Sequence, residues 1–396
     1  MARSRMASPI VLLTAETPLM DSDSIAAPKP SERLLSIDAL RGFDMLWIIG
    51  GERLAKALAR WSDSSAGKVV QEQLEHAEWH GFRLNDLIFP LFLFLVGTVL
   101  PFSLGKLQGQ GRGAEYRRIA RRTLLLFALG LLCNGVLKFD WANLRVAGVL
   151  QRIALCYGIA ALISLWFSRR GVAILLVLIL VGYWALMANV GAPGHTAGDY
   201  SISGNLAGWI DRQFLPGKIM KSYYGYGDNE GLLTTIPAVG TALLGVLAGH
   251  WLRSQRGPWQ KVAGLVAAGV LSLIVGVAWG ERFPINKILW TSPFVLVAGG
   301  LSLLLLALFY AVIDVLRFRR WAFFFVVIGA NAITIFVAPR FIDFEHLTTF
   351  FLGGTYRLTE LYVSTNARLV LAAAGVLTAK WLFLFYLYRN RIFLRV

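Results

Sequence analysis

Apolar positions in this chain fall in runs of about 20 residues, closed by short polar segments, rather than alternating or recurring on one face of an amphipathic helix. A helix of that length spans the hydrocarbon core of a bilayer. Lipid offers the backbone no hydrogen-bond partners, so each run must close its own bonds as a helix. The runs predict about ten spans, near residues 36–57, 84–105, 118–138, 148–167, 171–189, 231–252, 260–279, 293–315, 321–339 and 366–388. The first is polar for a membrane helix and escapes hydropathy alone. The fold class expected is all-α: a polytopic membrane helical bundle.

Composition agrees, since 56% of the 396 residues are hydrophobic and only 16% are charged. A soluble domain carries roughly 25% charged residues. The net charge of +16 would suit a nucleic-acid partner, but the cations sit in short clusters between apolar runs, with no basic stripe and no aromatic-lined groove. Lys106, Arg112, Arg117, Arg118, Arg121 and Arg122 follow the second run, and Arg169 and Arg170 the fourth. Arg253, Arg256 and Lys261 follow the sixth, and Arg317, Arg319 and Arg320 the eighth; Arg389, Arg391 and Arg395 close the chain. The positive-inside rule then places both termini and these connections in the cytoplasm. The opposite connections are longer and richer in Trp, Tyr, Gly and acids, as functional loops are. Residues 1–31, rich in Ser, Ala and Pro, read as a disordered cytoplasmic leader ahead of a membrane domain at 32–396; Met6 and Met20 are alternative starts. Cys133 and Cys156 lie inside apolar runs and give neither a disulfide framework nor a metal spacing.

A charge at mid-membrane costs about 2.5–3.5 kcal/mol on insertion scales, so it is retained for pairing or function. The first run holds Asp38, Arg41, Asp44, Glu52 and Arg53. The second opens on Asn85 and Asp86, the fourth carries Gln151 and Arg152, and the eighth ends at Asp314. Asp38, Arg41 and Arg152 read equally as a structural ion network near the cytoplasm and as a cradle for an anionic, phosphate-bearing cofactor.

The richest segment runs from Glu75 to Pro90. Histidine titrates near neutrality and suits proton transfer. In one helical stretch His76 and His80 would share a face beside Trp79, with Glu75 and Glu78 to orient a ring. Competing readings are an interfacial histidine, an aromatic anchor at Trp79, and a metal pair for which no third ligand is evident.

Ser36 to Asp44, His76-x-x-Trp79-x-Gly81, Asp86 to Pro90, Gly148 to Arg152, Glu230 to Ile236, Asn286 to Trp290 and Gly329 to Ile333 occur in order. As a set they resemble the heparan-α-glucosaminide N-acetyltransferase family from about residue 32 to the C-terminus, with bacterial members tied to N-acetylglucosamine catabolism the nearest in pattern. The resemblance implies acetyl transfer across the membrane, with His76 matching the family's catalytic histidine. Two departures stand out. Glu52 lies where eukaryotic members carry an active-site asparagine, and His80 replaces a second asparagine. A carboxylate cannot donate to an amide but accepts from an ammonium. A bacterium has no heparan sulfate of its own, so free glucosamine or an envelope amino sugar is the expected acceptor.

The expected roles follow. His76, Glu52 and Asp86 are the catalytic candidates. Arg41, Asp38, Gln151, Arg152 and Asn331 are cofactor candidates, the acyl donor being acetyl-coenzyme A. Trp79, His80, Glu230, Asn286 and Lys287 are substrate candidates, with Asn331 or Asn286 a donor to the oxyanion. His76 acts as general base or is itself acetylated. Expected partners are an amino sugar, membrane lipids and a second copy in a homodimer, with no nucleic acid, at a bacterial inner membrane. A competing reading is a transporter of N-acetylglucosamine or a related amino sugar; a non-enzymatic scaffold finds no specific support.

Overall fold

The computed structural model describes residues 34–104, 111–220, 225–360 and 362–394. The leader, Lys106 and Arg395 lie outside the described residues. Among those described the chain is helical, with one isolated bridge between Arg145 and Gly217 and no strand.

Among the described residues seven helices are long and apolar enough to cross a membrane. They are α4 (Ile88–Leu104, entered through a 3-10 turn at Leu84–Leu87), α6 (Val149–Trp166), α7 (Arg169–Asn189), α9 (Thr235–Leu252), α10 (Pro258–Gly280), α11 (Ser292–Phe309, extended by a π-turn to Val315) and α15 (Thr365–Arg389). An eighth crossing, α12 (Ala322–Ala330) with α13 (Ala332–Val337) and its 3-10 extension to Arg340, is bent by 71°. The remaining two predicted runs are helical but more polar. The first is α1 (Leu35–Leu46), a π-turn at Trp47–Gly51, and α2 (Glu52–Ser62); Gly50 breaks it with φ 142°. The other is α5 (Arg112–Cys133), whose first half carries the arginines. The protein is therefore a polytopic helical membrane protein. Three helices lie in the connections: α3 (Ser65–Gln73), α8 (Leu206–Phe214) and α14 (Phe344–Glu360).

Two crossings are set by missing side chains. A Cβ on Gly42 of α1 would stand 1.7 Å from the Phe325 carbonyl of α12, and one on Gly329 would stand 2.1 Å from the Asp38 carbonyl. Likewise a Cβ on Gly97 of α4 would meet the Ala242 carbonyl at 1.9 Å, and one on Gly245 of α9 the Phe94 carbonyl at 2.0 Å. Bilayer helices gain little hydrophobic energy from meeting one another, so backbones brought together by small residues supply the packing. α1, α4, α6 and α13 line one cavity.

Candidate active site

His76 lies in residues 74–83, which are not helical. The shared helical face expected for His76 and His80 is therefore absent, because this segment is fixed by long-range bonds instead. Gly81, at φ 115°, donates its N–H to the Ile285 carbonyl at 2.8 Å. The Asn286 amide donates to the Trp79 carbonyl at 2.8 Å and lies 3.3 Å from Nδ1 of His80. Trp79 donates through Nε1 to the Tyr200 carbonyl at 2.8 Å. Asn286 is fully buried and its Oδ1 accepts the N–H groups of Ile288 and Leu289. Trp79, His80 and Asn286 thus lock two loops 200 residues apart, and that lock carries Lys287 to His76. Burial lowers the His80 pKa, favouring its neutral ring.

Asp86, at the mouth of α4, is 1% exposed. Its Oδ2 accepts backbone N–H groups from Arg83 at 3.0 Å and Ala77 at 3.3 Å. Its Oδ1 lies 2.8 Å from His76 Nδ1 and 3.2 Å from the Lys287 ammonium. A carboxylate is acceptor-only, so Nδ1 must carry the proton. The Lys287 nitrogen, 3.1 Å from that Nδ1, then donates to the carboxylate rather than to the ring. Nε2 of His76 is left with its lone pair, on a ring that is about half exposed. Arg83 also donates to the His76 carbonyl at 3.0 Å. Burial pulls the Lys287 pKa below the ordinary lysine range, against the upward pull of Asp86, Glu230 and Glu52.

His76, Glu52, Glu230 and Lys287 line one cavity of about 380 Å³ together with Asn85, Arg145 and Asn229. Its apolar wall comes from Met45 and Ile48, from Phe89 and Phe92, and from Ile333 and Phe336. From Asn85 to Phe92 it descends about 10 Å at 1.5 Å per residue. Asn331, in the break between α12 and α13, donates to the Ile392 carbonyl at 3.1 Å; the break turns Ile333 and Phe336 into the wall.

The acidic side of the cavity has its own scaffold. Arg145 holds the buried Asp228 through Nε at 2.9 Å and also bonds Glu230. Burial alone would lower the Arg145 pKa, but these carboxylates raise it. Asp211 of α8 accepts N–H groups from Asp228 at 3.1 Å and Leu232 at 2.9 Å, bracketing the loop that carries Glu230. Burial pushes its pKa up to about 6, against those two bonds. Burial likewise raises Glu230, opposed by Arg152 and Arg145.

The residues proposed for a cofactor are divided. Arg41 pairs with Asp38 at 3.4 Å, about 16 Å along the helix axis from Glu52 by the rise per residue. Arg152 does not join them. Its guanidinium is buried, bonds the Gly231 carbonyl at 3.3 Å and Thr234, and stacks 5.0 Å over Trp290. The reason is position: Arg152 opens α6 against the segments carrying Gly231 and Trp290, whereas Arg41 lies in α1 beside Asp38. Gln151, 3% exposed, keeps its Nε2 unbonded. Neither Arg41 nor Arg152 lines the cavity. Sequence reasoning gave no role to Asn229, nor to Arg145 and Asp211, whose partners lie 17 to 85 residues away. Asn85, next to Asp86 at a membrane entry, was the one with a readable signal.

A helical membrane bundle with a carboxylate-held imidazole, a lysine and two further carboxylates at one cavity is the class these features define. The chain belongs to the family described as heparan-alpha-glucosaminide N-acetyltransferase, catalytic, whose model matches residues 33–278. It is similar to the heparan-alpha-glucosaminide N-acetyltransferase of Homo sapiens, 26% identical over 427 aligned positions that cover 92% of this chain and 60% of the relative. The relative of that name from Mus musculus is also 26% identical, over 79% of this chain and 54% of its own length. The chain thus spans a little over half the length of these curated relatives.

Proposed function

We propose that this protein moves an acetyl group from acetyl-coenzyme A in the cytoplasm to the amine of glucosamine, or of a glucosamine-bearing glycan, on the periplasmic side of a bacterial inner membrane. The observation that carries the reading is the bond from His76 Nδ1–H to Asp86 at 2.8 Å, which leaves the opposite ring nitrogen as a base beside Lys287, Glu230 and Glu52 in one cavity.

In this reading Glu52 and Glu230 accept hydrogen bonds from the incoming ammonium and orient it. Glu52 or Glu230 takes the first proton of the ammonium and releases it to water; the neutral amine nitrogen then attacks the thioester carbonyl while Nε2 of His76 takes its second proton, a contribution of typically 10²–10⁴-fold. Asp86 stabilises the imidazolium that forms. The Lys287 ammonium and the Asn85 amide, both at the cavity, are the donors nearest to hand for the tetrahedral oxyanion. Collapse breaks the carbon–sulfur bond, and the imidazolium returns its proton to the leaving thiolate. Arg41 and Asp38 face the other end of α1, where the donor's phosphates would enter. Gln151, Arg152 and Asn331 support the cavity wall from behind. Trp79, His80 and Asn286 act by holding the loops that carry His76 and Lys287.

The test reconstitutes the protein in liposomes with labelled acetyl-coenzyme A on one face and glucosamine on the other. Labelled N-acetylglucosamine on the glucosamine side is the expected result. Sugar uptake without acetylation would instead make the protein a transporter. Label exchange between acetyl-coenzyme A and coenzyme A without sugar would assign an acetyl-His76 intermediate.

A further inference from the structure

A second cavity, of about 360 Å³, opens between α2, α14 and α15 at the same end of the bundle as His76. Its floor is an apolar stripe on α15: Leu369, Ala372, Ala373 and Val376. Its rim is a cationic stripe on α2, formed by Arg53, Lys56 and Arg60 at helical spacing, with one lining carboxylate, Glu345. Glu345 is engaged by Arg53. Lys56 is engaged at 2.7 Å by Glu52, a wall residue of the catalytic cavity. The third wall, α14, exposes Phe350, Phe351 and Leu358 at 76%, 72% and 66%. A helix lying at the membrane interface buries Phe and Leu at the boundary between headgroups and hydrocarbon.

We propose that this cavity holds the phosphate and the first stretch of hydrocarbon of a lipid-linked amino sugar, so that the acceptor is acetylated while anchored in the bilayer. Charge complementarity selects that occupant. Arg53 is paired with Glu345 and Lys56 with Glu52, so the rim keeps one excess cation, at Arg60; it calls for an anion, and arginine forks suit phosphate. The apolar floor has no use for a free sugar phosphate, and the cations have none for a neutral glycan. The Lys56–Glu52 pair stands between the two cavities. A phosphate held by Arg60 and Lys56 would therefore place the attached sugar with its amine toward Glu52. The substrate role rests on the acetyltransferase reading above; binding of the phosphate-bearing chain does not.

The test has two arms on the full-length protein in detergent. The first measures saturable binding of tritiated farnesyl phosphate, with farnesol and inorganic phosphate as competitors. Farnesyl phosphate should bind, each competitor should act at least thirtyfold more weakly, and Arg60→Gln should weaken binding at least tenfold. Ala373→Phe, which fills the floor without touching a charge, should weaken it as much. Equal competition by farnesol would leave an apolar crevice only, and equal competition by phosphate a free-anion site. Either result, or two silent variants with unchanged melting temperature, overturns the proposal. The second arm compares acetylation of glucosamine with that of glucosamine joined to farnesyl phosphate, whose KM should be at least tenfold lower. Acetylation of free glucosamine without farnesyl phosphate binding overturns this site alone. Binding without acetylation of any amine overturns the substrate role together with the proposed function, and leaves an anionic-lipid site.

Discussion

Asp86→Asn separates a catalytic role for the His76–Asp86 pair from a structural one. The side chain accepts two backbone N–H groups on one oxygen, at 3.0 and 3.3 Å, and serves His76 and Lys287 on the other, at 2.8 and 3.2 Å. Asparagine has one acceptor oxygen. The backbone donors are fixed in place and keep it, so the new NH₂ faces Nδ1 of His76. The ring must then accept there, which moves its proton to Nε2 and removes the base. A hydrogen bond to a charged group is worth about 1.5–3 kcal/mol, and at 1.4 kcal/mol per decade its loss alone is about 10- to 150-fold. Loss of the base adds to this, and the kcat for glucosamine acetylation should fall by about 10²–10⁴-fold with little change in KM. The assay is transfer from labelled acetyl-coenzyme A by purified protein, with thermal unfolding as the check on folding. A variant that melts like the parent and keeps kcat within about threefold would refute the reasoning.

Two further variants test the scaffold. Gly42→Ala places a methyl 1.7 Å from the Phe325 carbonyl; overpacking of this kind costs about 1–3 kcal/mol, and the melting temperature in detergent should fall by several degrees, whereas an unchanged value would contradict the tight crossing of α1 and α12. Asp211, held at a pKa of about 6 against an ordinary 3.8, binds a proton on folding between those values, so its contribution to stability is greatest at low pH and is lost as pH rises through about 6. Protonation at the same time weakens its grip on the backbone around Glu230, where Asp228, Arg145 and Arg152 also converge. The KM for the acceptor should therefore rise as pH falls through about 6, and Asp211→Asn should flatten that step while leaving the pH dependence of kcat in place; a step of equal size in the variant would assign it elsewhere.

The crossings were legible because a bilayer writes them directly into sequence as long apolar runs. All ten predicted positions are helical, eight of them by length and apolarity. What escaped was local. The break at Asn331 sits inside an apolar run, and the π-turn before Glu52 was marked only by the Gly50-Gly51 pair, which was not read as a bend. Residues 74–83 were treated as a helix in asking whether two histidines share a face, yet Gly81 and the bonds to Ile285 and Asn286 override any local preference there. Around His76 the sequence displayed the residue types but not their grouping. Lys287 reaches Asp86 across 201 positions, and Arg145 reaches Asp228 across 83, pairings that no periodicity encodes. Arg152 was joined to Arg41 because both are intramembrane arginines, although one meets Gly231 and Trp290 and the other Asp38.

The most direct measurement is label transfer from acetyl-coenzyme A to glucosamine by reconstituted protein, with the parent and His76→Ala compared in the same membranes. The account predicts that the parent acetylates the sugar and that the variant, equally folded, loses at least 10²-fold in kcat. A folded His76→Ala protein that acetylates glucosamine at the parental rate would contradict it.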